Sequence, residues 1–303
     1  MSSSISPPRR RRLVGVSTKM YFSFARTTSY MDALVSALSQ LSPDLLASLR
    51  DTDIFVIPDH VSLTSVIAQL RRAPVPVLAG AQDAFHEDAG AFTGEVSPAV
   101  LAEVGCRVLE LGHAERRRLF GETDESAARK AAAAARNGIV PLVCVGERTK
   151  PPALSSSSPP AFTPTAVSPH DSSSQNDVDD DHDHDDYDKN LDVPSALPEI
   201  RTQVEAVLSA VPPTADVILA YEPVWAIGAA APAGASYVVA VAQAIREFAC
   251  VRGRPGTTRI LYGGSAGPGL FGKLKDGVDG LFLGRFAHDP EQFVKTICEV
   301  ATA

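Results

Sequence analysis

A glutamate, a histidine and a lysine each stand just past a short apolar run of this chain. Glu222 lies in Ala220-Tyr221-Glu222-Pro223-Val224-Trp225-Ala226-Ile227-Gly228, His113 in Leu111-Gly112-His113-Ala114-Glu115-Arg116-Arg117, and Lys19 in Ser17-Thr18-Lys19. A carboxylate can take a proton from carbon, an imidazole can polarise a carbonyl and pass protons between oxygens, and an ammonium can offset an anion. Converging on one site, the three suit proton transfer beside the carbonyl of an anionic substrate. Glycine-rich turns at Gly263-Gly264 and Gly284 belong to the same pattern of run ends.

For these groups to meet, the runs before them must end at one rim. Runs rich in Val, Ile and Leu fall at 13–16, 54–57, 75–79, 107–111, 140–145, 217–221, 259–262 and 280–283, and helical stretches such as 29–49, 63–72, 97–104, 126–137, 199–210 and 236–251 separate most of them. Short strands that are apolar throughout, without alternation, belong to a parallel sheet covered on both faces. Eight such β/α units predict an α/β protein built as a single closed (β/α)8 barrel. An open doubly wound sheet is the alternative that pattern alone leaves open.

The chain has 303 residues and a formal net charge of -8, and that charge is unevenly spread. Residues 150–192 hold ten Asp against Lys150 and Lys189, which accounts for the whole excess, and residues 9–12 are four consecutive Arg. The Pro-, Ser- and Asp-rich stretch 150–192 cannot bury enough apolar surface to fold by itself and reads as a disordered insertion in the loop after strand five. The expected organisation is therefore a disordered basic tail over 1–12 and a barrel over 13–303 interrupted by that insertion. An acidic balance disfavours nucleic acid as partner. No apolar run reaches membrane-spanning length, and no secretory signal follows the Arg cluster. Cys106, Cys144, Cys250 and Cys298 form no C-x-x-C pair, which suits a reducing compartment. A cytoplasmic protein is expected, with an organelle-targeting role of the tail as the alternative. The run Asp179–Asp188 reads as a solvated acidic spacer, weak divalent-cation binding being its other reading, and no catalytic metal or cofactor is called for.

The ordered segments Gly80-Ala81-Gln82, Gly90-Ala91-Phe92-Thr93-Gly94-Glu95, Leu111–Gly121, Cys144-Val145-Gly146-Glu147, Tyr221–Gly228 and Tyr262-Gly263-Gly264-Ser265 resemble the triosephosphate isomerase family over nearly all of the chain outside the tail and the insertion. The resemblance implies a TIM barrel. It implies Glu222 as the general base, His113 as the imidazole that polarises the carbonyl, Lys19 as the cation and Glu115 as the acid behind it. Gly228, Ser265 and Gly284 match phosphate-contacting positions, where backbone N–H groups need close approach. Trp225–Gly228 matches the start of a loop that closes over substrate and excludes water, and Glu147 and Tyr262 match positions that steady this loop open and closed. Thr93 matches a loop that reaches into a second subunit, which implies a homodimer.

The departures from the family pattern fall at the substrate. Ser17 replaces an Asn, the loop after Gly228 runs Ala229-Ala230-Ala231-Pro232-Ala233-Gly234 without its polar tip, Arg285 replaces the second glycine of a pair, and Ala114 replaces a serine. Arg285 brings a fixed fork of donors to a phosphate or an added hydroxyl. The expected activity is triose-phosphate isomerisation, between dihydroxyacetone phosphate and glyceraldehyde 3-phosphate. The alternatives are isomerisation of a four-carbon ketose phosphate such as L-erythrulose 1-phosphate, which the stretch around Gly284-Arg285 resembles, and a non-catalytic phosphosugar-binding paralogue.

Overall fold

The computed structural model describes residues 11–154, 191–227 and 233–303. Eight strands close into a barrel in chain order: β1 (Arg12–Ser17), β2 (Thr52–Ile57), β3 (Val77–Ala81), β4 (Val108–Leu111), β5 (Val140–Val145), β6 (Val217–Tyr221), β7 (Thr258–Tyr262) and β8 (Gly280–Leu283), with β8 pairing back onto β1 in parallel register. The closed barrel, not the open sheet, is the fold. Apolar residues cover the strands on both faces, as uniformly apolar runs require. Outward-facing Val14, Val16, Val143 and Leu219 pack with helix residues such as Met31, Leu34, Ile200 and Ile245. Leu13, Phe55, Val108, Leu142, Leu261 and Phe282 fill the lumen.

Several boundaries differ from the sequence reading for reasons of backbone chemistry. β1 starts at Arg12, and the Arg11 guanidinium lies 2.7 Å from Asp53, so the last two residues of the expected tail belong to the barrel. Pro74 and Pro76 offer no N–H to a ladder, and β3 begins only at Val77. The single helix expected over 29–49 is two, α1 (Phe24–Ser39) and α2 (Pro43–Leu49). Proline disfavours helical backbone in the residue before it, and Ser42 caps the second helix by accepting from the Leu45 N–H. Likewise 236–251 divides into Ala235–Arg246 and Ala249–Arg252, and the helix expected from 199 begins at Val193, with a proline in its first turn. Where the expected insertion begins and ends, Ala153 bridges Leu191 and the Asp192 N–H reaches Pro152 O at 2.8 Å. Most of that segment, residues 155–190, lies outside the described residues, as do residues 1–10 of the expected tail.

Alternation along the strands sorts side chains between lumen and helices. On β1 the inward set ends at Ser17, on β4 at Glu110, on β5 at Cys144, and just past β6 it reaches Glu222. Two polar contacts cross the lumen between strands that are not neighbours. At the N-terminal end Arg259 of β7 pairs with Asp53 of β2. At the C-terminal end Ser17 of β1 donates to Glu110 of β4 at 2.9 Å. Among the described residues no helix is long and apolar enough to cross a membrane.

Candidate active site

Glu222 leaves the end of β6 with its backbone N–H bonded to Val145 O at 2.8 Å, which ties it to the neighbouring strand β5. Two glycines make room for it. A Cβ on Gly146 would stand 1.9 Å from the Glu222 carbonyl oxygen, and one on Gly263 would stand 2.6 Å from the Glu222 Cγ and Oε1. Only 3% of the residue is exposed. Its Oε1 lies 3.5 Å from the Cys144 thiol, while Oε2 makes no hydrogen bond and faces His113 Nε2 at 3.6 Å. Burial pushes the carboxyl above the ordinary range, and the charges of His113 and Lys19 counter this only in part. Burial, with the nearby Glu222 and Glu110 carboxylates, also pushes the Cys144 thiol far up, so it stays a neutral donor.

His113 caps the helix Ala114–Phe120, its Nδ1 accepting from the Glu115 N–H at 3.1 Å. A ring whose Nδ1 accepts carries its neutral-form proton on Nε2, the nitrogen turned to Glu222. The sequence places the ring there through Gly112, whose φ of 64° turns the chain from β4 into the helix.

Lys19 sits two residues past β1 with φ 47°, the sole non-glycine residue at positive φ among the described residues. Such backbone costs about 1 kcal/mol or more and persists where the surroundings fix it. Here Gln82 donates to its carbonyl at 2.8 Å. Its ammonium is 2.7 Å from Glu115 Oε1. Burial pulls the Lys19 value down, but the hydrogen bond and charge of Glu115, with the charges of Glu222 and Glu110, outweigh it and hold the group above its usual range. The lysine remains a cation. Glu115 is correspondingly low: its partial burial is overcome by Lys19 and His113.

These groups line a cavity of about 550 Å³ at the C-terminal mouth of the barrel. The structure brings Ser17, Lys19, His113, Glu115, Glu222, Ser265, Gly284 and Arg285 to it together. Gly228 lies outside the described residues, as does most of the altered loop tip that follows it. Glu147 is buried beside the start of that loop, accepting from Trp225 Nε1 at 2.7 Å and Tyr237 Oη at 2.8 Å, and the Tyr262 hydroxyl lies against Gly264. Thr93 does not line the cavity; it is exposed on its loop beside Phe92.

His288 and Glu110 are among the lining residues that the sequence reading does not single out. His288 stacks edge-on against Phe22 with ring centroids 4.8 Å apart and contacts Ser17 O at 3.2 Å. Glu110 is 4% exposed, and burial pushes its carboxyl up to about 7 against the opposing effects of His113 and Ser17. The available signal was an acid at an inward position of the run Val108-Leu109-Glu110-Leu111, three residues before the histidine. Among the described residues no group of three or more His, Cys, Asp or Glu could hold a metal ion.

Comparison with known proteins adds two findings. The family model described as triosephosphate isomerase matches residues 12–155 and 188–300. The chain is 41% identical over 293 residues to a protein named L-erythrulose-1-phosphate isomerase from Pectobacterium atrosepticum, covering 97% of each. It is 36% identical over 288 residues to one of the same name from Rhizobium etli, covering 93% of this chain and 91% of the relative. It is 32% identical over 292 residues to a triosephosphate isomerase from Chloroflexus aurantiacus, covering 94% and 97%.

Proposed function

This chain belongs to the triosephosphate isomerase family, and we propose that it isomerises a four-carbon ketose phosphate, L-erythrulose 1-phosphate, through an enediolate. The observation that carries the reading is the buried Glu222 carboxylate turned onto His113 Nε2 at 3.6 Å, in a cavity that also holds Lys19. The relatives support this sugar better than the triose, because the two that carry its name have higher identity than the triosephosphate isomerase. Triose-phosphate isomerisation becomes the second reading. The altered loop tip, the feature that favoured a non-catalytic binder, lies mostly outside the described residues.

In this sugar the carbonyl is at C2 and C1 carries the phosphate ester, so the neighbouring carbon that can exchange a hydroxyl for a carbonyl is C3. Glu222 takes the C3 proton, and the electron pair forms the C2–C3 double bond while charge moves onto O2. His113 gives its Nε2 proton to O2 and receives one from O3, after which Glu222 returns its proton to C2. The carbonyl ends on C3, and the product is a ketose whose phosphate lies on the carbon farther from the carbonyl. Every proton and electron pair stays within the sugar and these side chains, so the chemistry calls for no cofactor. Lys19 offsets the negative charge, with Glu115 holding its ammonium in place. Gly228, Ser265 and Gly284 hold the phosphate through backbone N–H groups, with the Arg285 guanidinium beside them. Ser17 contacts the sugar, and the exposed Thr93 loop joins two copies into a homodimer.

The test offers purified protein dihydroxyacetone phosphate and L-erythrulose 1-phosphate in turn, with Glu222→Gln as control. The expected result is a clear kcat/KM preference for the four-carbon sugar, abolished in the variant. Preference for the triose would return the assignment to the second reading. Turnover of neither, with wild type and variant alike, would sink the isomerase reading.

A further inference from the structure

Glu110 is a buried acid of the cavity that proton transfer leaves unused. It replaces what an apolar lumen would place there and is buried, and among the described residues neither a lysine nor an arginine pairs with it. Its hydrogen bond comes from the small Ser17, across the lumen at 2.9 Å. Burying a carboxyl with so little compensation is costly. The group lies within the electrostatic reach of His113, Glu222 and Lys19 and lines the same cavity.

Its place in the ring says what it faces. The phosphate end of the cavity is built after β7 and β8 by Gly264, Ser265, Gly284 and Arg285, whereas Glu110 stands on β4, opposite β8 in the eight-strand ring. A sugar with its phosphate at β7 and β8 and its reacting carbons between Glu222 and His113 points its remaining end across the ring toward β4. In a triose that end is a single hydrogen on the reacting carbon. In a four-carbon ketose it is a hydroxymethyl group, which needs space and a hydrogen-bond partner.

From this we infer that Glu110, positioned by Ser17, is the specificity-determining residue that receives the terminal hydroxymethyl group of a four-carbon ketose phosphate. The inference rests on the isomerase reading above. A site built to bond a hydroxyl discriminates strongly against an analogue without it, because the buried group is then left unpaired.

The experiment compares wild type, Glu110→Leu and Glu110→Gln on L-erythrulose 1-phosphate and on dihydroxyacetone phosphate. The triose is followed both as substrate and as competitive inhibitor, so its arm reads even where turnover is slow. In Glu110→Leu, kcat/KM for the four-carbon sugar is expected to fall about a hundredfold, with the triose constants changed less than about threefold. Glu110→Gln, which keeps a hydrogen-bonding amide, is expected to recover part of the loss, and melting curves check that both variants fold. Parallel losses on both sugars, or no loss on either, would overturn the role of Glu110 while leaving the isomerase reading intact. Wild-type protein that turns over neither sugar overturns that reading, and this inference falls with it.

Discussion

At the N-terminal end of the lumen Asp53 meets two guanidiniums, Arg259 from across the barrel and Arg11 from the start of β1. At the C-terminal end Glu110 meets only the hydroxyl of Ser17, and Glu222 has an imidazole at 3.6 Å. Three acids elsewhere in the walls follow the first pattern. Asp83 and Glu122 share Lys130 and Arg116, and Asp279 is held by Arg246. Charge that serves the fold is matched within the fold. At the rim Glu115 is paired with Lys19, but Glu110 and Glu222 remain under-compensated, and that is the condition under which a substrate can supply the missing partner. The rim should therefore give up activity without giving up stability, and the base of the barrel the reverse.

The largest expected effect is at Glu222. Glu222→Gln should lower kcat by about three to four orders of magnitude, the scale of a lost general base, while its melting temperature stays level or rises. The same burial puts the acid limb of wild-type kcat/KM above the usual carboxylate range, so activity falls as pH drops through it. A variant that loses its fold along with its activity would break the contrast.

Next comes the pH dependence of stability at Glu110. Its folded value of about 7 lies above the ordinary 4.5, so its contribution is complete below about pH 4.5 and is lost as pH rises through about 7. Between pH 5 and 8 the wild type should lose on the order of 2 to 3 kcal/mol more than Glu110→Gln, read from denaturant titrations at the two pH values. Equal slopes would show that Glu110 is compensated after all.

Arg259→Met probes the opposite end. The pair is largely shielded, with 12% and 21% of the two side chains exposed, but Arg11 stays beside Asp53. A loss of about 2 kcal/mol is expected, with kcat/KM within about twofold of wild type. A tenfold loss of activity in folded protein would mean that the two ends are coupled. The smallest effect belongs to Arg11→Ala, whose guanidinium is half exposed: less than about 1 kcal/mol, shrinking with added salt, and no change in turnover.

Much of this architecture was legible because parallel strands buried on both faces leave long apolar runs, and all eight fell within two residues of their expected places. β5, β6 and β8 match at both ends. What failed was local stereochemistry that hydrophobicity does not record. The helix break at Ser42-Pro43 and the late start of β3 after Pro76 were written in prolines that the apolar pattern overrode. At the site, Glu222, His113 and Lys19 were visible because each stands outside its strand. Glu110 was not, because it lies inside the apolar run of β4, where only the inward parity of the third residue distinguishes it. His288 was hidden for another reason: it reaches the cavity through the short turn Arg285–His288, whose path no periodicity foretells.

The two glycines that wall in Glu222 bear on how far any sequence like this one can drift. Gly146 and Gly263 bring no functional group, yet a single methyl at position 146 would strike the glutamate's own carbonyl oxygen at 1.9 Å. In a saturation library those two sites should be as intolerant as position 222. The few survivors at 146 would be chains whose base has been displaced, recognisable by retained folding and lost turnover. Negative space, as much as the carboxylate itself, is then what a search for working variants must hold fixed.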